Sequence, residues 1–534
     1  MLRKLTGVGL CAAALLCLSA AARADVVTDW DNVLLNAVRL DKTPPPKASR
    51  AMAFVHVAVF DAVDGILGGY TPYHVTAGAP AGASPEAAAA AAAHKTLTAL
   101  FPAQEATFDS ALTRSLAAVP DGAAKTSGIS WGESVADQIL ALRDGDHSAD
   151  IVDFFAPAGA LWWVPTPPAF APALLPNWPL VTPWCMTEGS QFRAAAPPSP
   201  GSAAYTAAFR EVKRLGRVNS ASRTADQTQI ALFWADGAGT VTPPGHWLVI
   251  AQGISQQRHL SLLENARLFA LLGLTVADAA VVSWDSKYYY KLWRPITGIQ
   301  HADVDGNPDT VADPAWQPLL ATPPFPSYTS GHSTFSGGAA RILDLYLGTD
   351  AVPFSTLSDG LSGVQRSFTS LSQAAAEAGQ SRIYGGIHWQ YDNVAGLASG
   401  RALAEAVFYN FLTPVSTPSV CTVDAGTLCL GGGRFKVQAQ WKTAAATGPA
   451  QVVSQTADSG QLYFFAPDNT ELTVKIVDAC AYNDRFWVFA SGLTDVQVLL
   501  TVTDTHTGRT RQYFSAQGKP FAPVQDTAAF ATCP

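Results

Sequence analysis

The hydrophobic period of this 534-residue chain changes once, near Pro414. Upstream of it, residues 50–66 are apolar around most of a helical circumference, as in a helix sunk in a core. Residues 85–101 form an alanine-rich run opened by Pro85, a residue tolerated in the first helical turn. Downstream, Phe435, Val437, Ala439 and Trp441 alternate with other residues. So do Leu472, Val474 and Ile476, and then Val496, Val498, Leu500 and Val502 ahead of a Thr507-Gly508 turn. A helix repeats every 3.6 residues and a strand every 2, so these patterns specify different structures. The chain is therefore expected to be mainly α, with a helical body over residues 25–415, a linker near 413–418 and a small all-β sandwich over 416–534. His56, Asp61 and His94 fall inside the predicted helices and read as structural polar positions.

The first 24 residues read as an export signal. Arg3 and Lys4 precede an apolar run over residues 8–21, and Ala22-Arg23-Ala24 fits a small-x-small cleavage site. That run falls short of the ~20 apolar residues a bilayer span needs, and no later stretch reads as a transmembrane helix. A periplasmic or extracellular protein, cut near Ala24 and without a transmembrane segment, is expected. Cys421, Cys429, Cys480 and Cys533 gather in the β part, where an oxidising compartment would join them as two disulfides in one of three pairings. Cys185 is left over. A formal net charge of −8 argues against a nucleic-acid partner.

Three segments carry chemistry. Residues 287–295 read KYYYKLWRP; Lys287 and Arg294 are seven apart, two helical turns, and would project from one face of a helix that Pro295 ends. Residues 325–333 read FPSYTSGHS ahead of a helical run over 334–347. Ser330 and Gly331 would sit at that helix's N-terminus, where free N–H groups and the dipole favour an anion. His332 beside them can give or take a proton. Residues 381–392 read SRIYGGIHWQYD. Arg382 offers a planar fork of donors, and the glycines at 385 and 386 would keep its approach slim. His388 and Asp392, four apart, would share a helix face, so that Asp392 orients the imidazole. Together the segments supply three cations, a helix terminus, a hydroxyl and two histidines, an inventory that suits an oxyanion with three equatorial oxygens and two apices. Residues 156–200, rich in Pro and Trp, are expected to be irregular, either wrapping the helices or walling a substrate pocket.

The order K-x6-R-P, S-G-H, S-R-x5-H-x3-D resembles the vanadium-dependent haloperoxidase and type 2 phosphatidic-acid phosphatase superfamily, with Thr329 where that pattern usually has Pro. Flanking residues 293–298 (WRPITG), 325–328 (FPSY) and 381–389 (SRIYGGIHW), and the FWADG at 233–237, look closer to chloroperoxidases. The resemblance covers roughly residues 30–412 and implies paired four-helix bundles with the anion between helices. It implies vanadate carried by His388, with Lys287, Arg294, Arg382, Ser330 and the Gly331 N–H neutralising its oxygens and His332 managing protons. Hydrogen peroxide, a halide and a small organic acceptor would be the partners. Asp236 would pair with Arg382. Phe325 stands where chloroperoxidases carry Phe and bromoperoxidases often carry His, which implies a halide pocket competent for chloride. The same residues would serve an acid phosphatase, with phosphate in place of vanadate, His388 as nucleophile through a phosphohistidine and His332 protonating the leaving alcohol. A third alternative is a non-catalytic exported binding protein with a relic anion site.

Overall fold

A computed structural model describes residues 25–533; the expected export signal lies outside them. At the centre of the helical body runs the helix Leu262–Tyr290, opened by a capping box in which Ser261 and Glu264 satisfy each other's backbone N–H. Helices Pro45–Leu67, Thr242–Arg258, Gly331–Leu347 and Gln390–Asn410 pack around it. This central helix corrects one expectation, because it is long and apolar enough to cross a membrane. Its apolar window is wholly buried inside the protein, so the composition comes from being enclosed by other helices. Each large side chain it buries, among them Phe269, Leu272 and Trp284, contributes roughly 1.5–3 kcal/mol.

Helices Gly331–Leu347 and Gln390–Asn410 lie against each other, and Ser333 Oγ donates to Asn393 Oδ1 across the contact (2.8 Å). A smaller core of Phe209, Trp293, Ile296, Trp316, Ile383 and Trp389 packs beside the first and third motif segments. Residues 156–200 hold only a single 3-10 turn, Trp178–Leu180, as the proline content dictates.

Beyond Pro414 the chain forms two antiparallel five-stranded sheets. Their apolar faces meet in a core that includes Val437, Leu472, Val474, Val488 and Leu500. The alternation seen in sequence is the burial pattern: Val498, Leu500 and Val502 face inward along Gln497–Asp504. Tyr409 of the body stacks on Phe514 at 5.0 Å, joining the two parts. The disulfides are Cys421–Cys429 and Cys480–Cys533, closing 8 and 53 residues. The longer loop restricts the unfolded chain more. Serine at both Cys480 and Cys533 should therefore lower the β part's unfolding free energy by about 4 kcal/mol, against about 2.5 kcal/mol for the shorter bridge. Denaturant melts of the two double variants test that order.

Candidate active site

The three segments converge on one buried point, by a route that differs from the helical expectation in two places. Lys287 lies in the last turn of the central helix, but Lys291 takes a left-handed conformation (φ 49°) and ends that helix. Arg294 is the N-cap of the next helix, Pro295–Gln300, in which Pro295 holds the first position. Pro295 therefore starts a helix and does not end one, as its fixed φ and missing N–H allow. The pair shares a site without sharing a helix. Likewise His388 precedes its helix: Trp389 is the N-cap, and Asp392 reaches back from the third helical position. The His388–Asp392 contact forms through this cap, with Nδ1 2.8 Å from Oδ2.

Asp392 is fully buried and its Oδ2 gathers three donors: His388 Nδ1–H, the Trp389 N–H at 3.1 Å, and the hydroxyl of Ser327. With Nδ1–H so engaged, the other ring nitrogen must carry a lone pair. It does face a donor, since Arg294 Nη1 lies 3.0 Å from His388 Nε2. Burial first, then the charges of Arg294 and Lys287, hold the His388 imidazole well below its ordinary pKa. His388 is accordingly neutral above that depressed value, with Nε2 unprotonated. Nitrogen-15 NMR of labelled histidine should show the Nδ1–H tautomer at His388 from pH 8 down to pH 6, with no titration near 6.5.

Arg294 is fully buried; Nε donates to Phe325 O (2.8 Å) and Nη1 to Ile387 O (2.7 Å). Its Nη2 has no hydrogen-bond partner among the described residues. Burial pushes this guanidinium down to about 9 and that of Arg382 to about 10. Arg382 is held by Ser381 Oγ (3.0 Å) and Ala231 O (3.0 Å), and its Nη1 lies 3.3 Å from His332 Nε2. Burial and Arg382 keep half-buried His332 well below the usual histidine pKa. Lys287 differs from expectation in its donors. All three N–H bonds go to backbone carbonyls of the loop before Ser330: Pro326 (3.1 Å), Ser327 (3.0 Å) and Thr329. An ammonium has three donors, so Lys287 shapes that loop and contributes its charge from behind it. Burial and Arg294 lower its pKa strongly.

Ser330 caps the helix Gly331–Leu347, its Oγ accepting from the Ser333 N–H (3.3 Å). The first N–H groups of that helix have no intrahelical acceptor. Gly331 is required neither by backbone conformation nor by packing, since an added Cβ would meet Trp284 at an ordinary 3.6 Å. Glycine there leaves space at a helix N-terminus. The glycines at 385 and 386 serve packing instead of a slim approach for Arg382. Gly386 has φ +78°, and a Cβ would sit 2.4 Å from Gly216 O.

Asp236 corrects a further expectation. Its carboxylate bonds His246 Nδ1 (3.2 Å) and makes no ion pair with Arg382, which it influences through its field alone. His246 was missed in the sequence because nothing in the run TPPGHW marks it as the partner of a carboxylate ten residues earlier. Ser327 was missed as well, although it lies inside the second motif. Phe325 packs on Trp284 (4.9 Å between centroids) and covers Lys287 and Arg294 at 5.0 and 4.8 Å. A cavity of about 600 Å³ opens onto Phe325, Gly331, His332, Arg382 and His388. The Pro- and Trp-rich segment supplies Leu174 to its wall and otherwise wraps the body.

Buried positive charge thus exceeds buried negative charge around His388 Nε2, and one guanidinium nitrogen there is unsatisfied. Residues 267–416, which contain all three segments, match the family described as the VCPO second helical-bundle domain. The chain is similar to a vanadium chloroperoxidase of Curvularia inaequalis, 26% identical over a 514-residue alignment that covers 74% of this chain and 81% of that one. It also aligns with the structure of a bacterial vanadium-dependent iodoperoxidase at a TM-score of 0.64 and 29% identity, over 72% of this chain and 95% of that one. Over residues 267–416 the chain carries the second helical-bundle domain of that family, and the two relatives above are both vanadium haloperoxidases. A holo-form bacterial vanadium-dependent chloroperoxidase shares the fold at a TM-score of 0.54 and 15% identity, covering 68% of this chain and 92% of that one. The family match begins after Asp236 and His246.

Proposed function

We propose that this chain is a vanadium-dependent haloperoxidase that oxidises halide with hydrogen peroxide. The observation that carries the reading is the unpartnered Arg294 Nη2 beside the lone pair of His388 Nε2, in a buried site with surplus cations. An oxyanion with a ligand-accepting central atom fits that donor set. His388 Nε2 would hold the central atom, while Arg294, Arg382, the Gly331 N–H and the Ser330 hydroxyl would hold its oxygens. Bound vanadate supplies Lewis acidity that activates hydrogen peroxide toward a halide without a change of metal oxidation state.

The chain's own groups do the rest. Asp392 fixes the His388 ring and keeps its proton on Nδ1. Neutral His332, at the cavity wall, would accept and return a proton; taking it at Nε2 means giving up the contact with Arg382 Nη1, which holds the ring in the resting site. Lys287 stiffens the 326–329 loop and sets the field over the site. Trp284 and Phe325 keep water from its apolar side. Export to a periplasmic or extracellular space is part of the proposal, supported by the N-terminal signal pattern and the two disulfides.

Apo-protein given orthovanadate, hydrogen peroxide and bromide should brominate phenol red, and orthovanadate should be required. No halogenation after vanadate loading, with rapid hydrolysis of p-nitrophenyl phosphate, would replace this reading with the acid phosphatase. Silence in both assays would favour the binding-protein alternative.

A further inference from the structure

Resting on the haloperoxidase reading, we propose that the cavity above the oxyanion site binds the organic acceptor, and that this acceptor is an apolar molecule bearing an anionic group that meets Lys42. Peroxide and halide are a few atoms each, comparable with a water's share of about 30 Å³. The cavity holds about 600 Å³, the size of sites that enclose small organic ligands. Its walls are built for an apolar body. Pro44, Pro45, Pro243, Pro323 and Pro324 line it, and proline has no N–H to offer water. Phe335 and the Trp284–Phe325 pair line it too, next to the reactive end.

Charge sets the orientation. Lys42 is exposed at the rim, where it ends the helix Val26–Asp41 in a left-handed conformation (φ 55°). Its ammonium makes no ion pair or hydrogen bond to any described residue. The single carboxylate on the wall, Asp236, is turned to His246. The inner end is cationic, but the oxyanion takes that place. An anionic acceptor would therefore put its charge outward at Lys42 and its apolar body inward toward His332 and Phe325. The part of the acceptor nearest the inner end would then lie beside the site of halide oxidation.

Isothermal titration calorimetry on the full chain saturated with orthovanadate, and again with inorganic phosphate, tests this with 1-naphthoate and its neutral methyl ester as probes. Both should bind. Lys42→Asn keeps a residue that tolerates the left-handed backbone and should weaken 1-naphthoate about threefold, the scale of a partly exposed ion pair, with the ester unchanged and Lys42→Arg restoring binding. Leu174→Trp, which fills the cavity, should weaken both probes at least tenfold, with orthovanadate binding and the melting temperature as controls of integrity. Naphthoate affinity unchanged in Lys42→Asn, or both probes unaffected in a folded Leu174→Trp, would overturn the proposal. Failure of the haloperoxidase reading would show separately, as absent halide oxidation in the wild-type protein, because binding is read without turnover.

Discussion

Replacing His388 with alanine is expected to abolish orthovanadate binding and to lower halide oxidation by at least about 10³-fold, the scale of losing a group that acts on the reacting centre. Nε2 is the one neutral nitrogen that meets Arg294 Nη1, and the ring is fixed through Nδ1 by Asp392. With the imidazole removed, Arg294 Nη1 keeps Ile387 O and Nε keeps Phe325 O, so the guanidinium stays in place and the fold should survive. Circular dichroism and a melting curve close to wild type, combined with lost calorimetric vanadate binding, would separate loss of the ligand from loss of structure. Retained turnover would refute the assignment of His388.

Asp392→Asn carries the second large effect, a 10–100-fold loss of orthovanadate affinity, as for carboxylates that orient a metal-bound histidine. Asp392 Oδ2 accepts from His388 Nδ1–H, Ser327 Oγ–H and Trp389 N–H together. An amide oxygen in the place of Oδ2 could accept the same three bonds but carries no negative charge, so it holds the His388 Nδ1–H more weakly and makes Nε2 a poorer ligand. The carboxylate is itself raised to about 6, chiefly by burial, against the pull of Ser327 and Trp389. Because the folded protein binds this proton more tightly than the unfolded chain, Asp392 favours the fold below the unfolded value near 4, and that contribution is lost as pH rises through about 6. Asn should therefore flatten the fall of apo-protein stability across that window while weakening vanadate. A loss of stability with unchanged vanadate affinity would mean that Asp392 serves only the fold.

Much of this architecture was legible in the sequence because it depends on local pattern. Residues 50–66 are helical, the expected 85–101 run is helical as Pro85–Leu100, and the alternation of Val498, Leu500 and Val502 became an inward-facing strand row. The three segments also come together, since His332, Arg382 and His388 line one cavity and Arg294 lies against His388 behind it. What failed to read was set by contacts distant in sequence or by single backbone angles. Hydrophobic periodicity does not register the left-handed turn at Lys291, which puts Lys287 and Arg294 on different helices. Nor does composition show that Lys287 spends its donors on carbonyls some 40 residues away, or that Asp236 turns to His246. The central helix met the length and hydropathy of a membrane span because its partners bury it completely, which only the packed structure reveals.

The most direct test of the site is a titration of the apo-protein with orthovanadate, following bound vanadate by calorimetry and iodide oxidation by hydrogen peroxide in parallel. The account predicts one vanadate per chain, activity that rises in step with occupancy and stops at equivalence, and competition by inorganic phosphate. Binding that leaves iodide unoxidised at full occupancy, or oxidation that does not track occupancy, would contradict it.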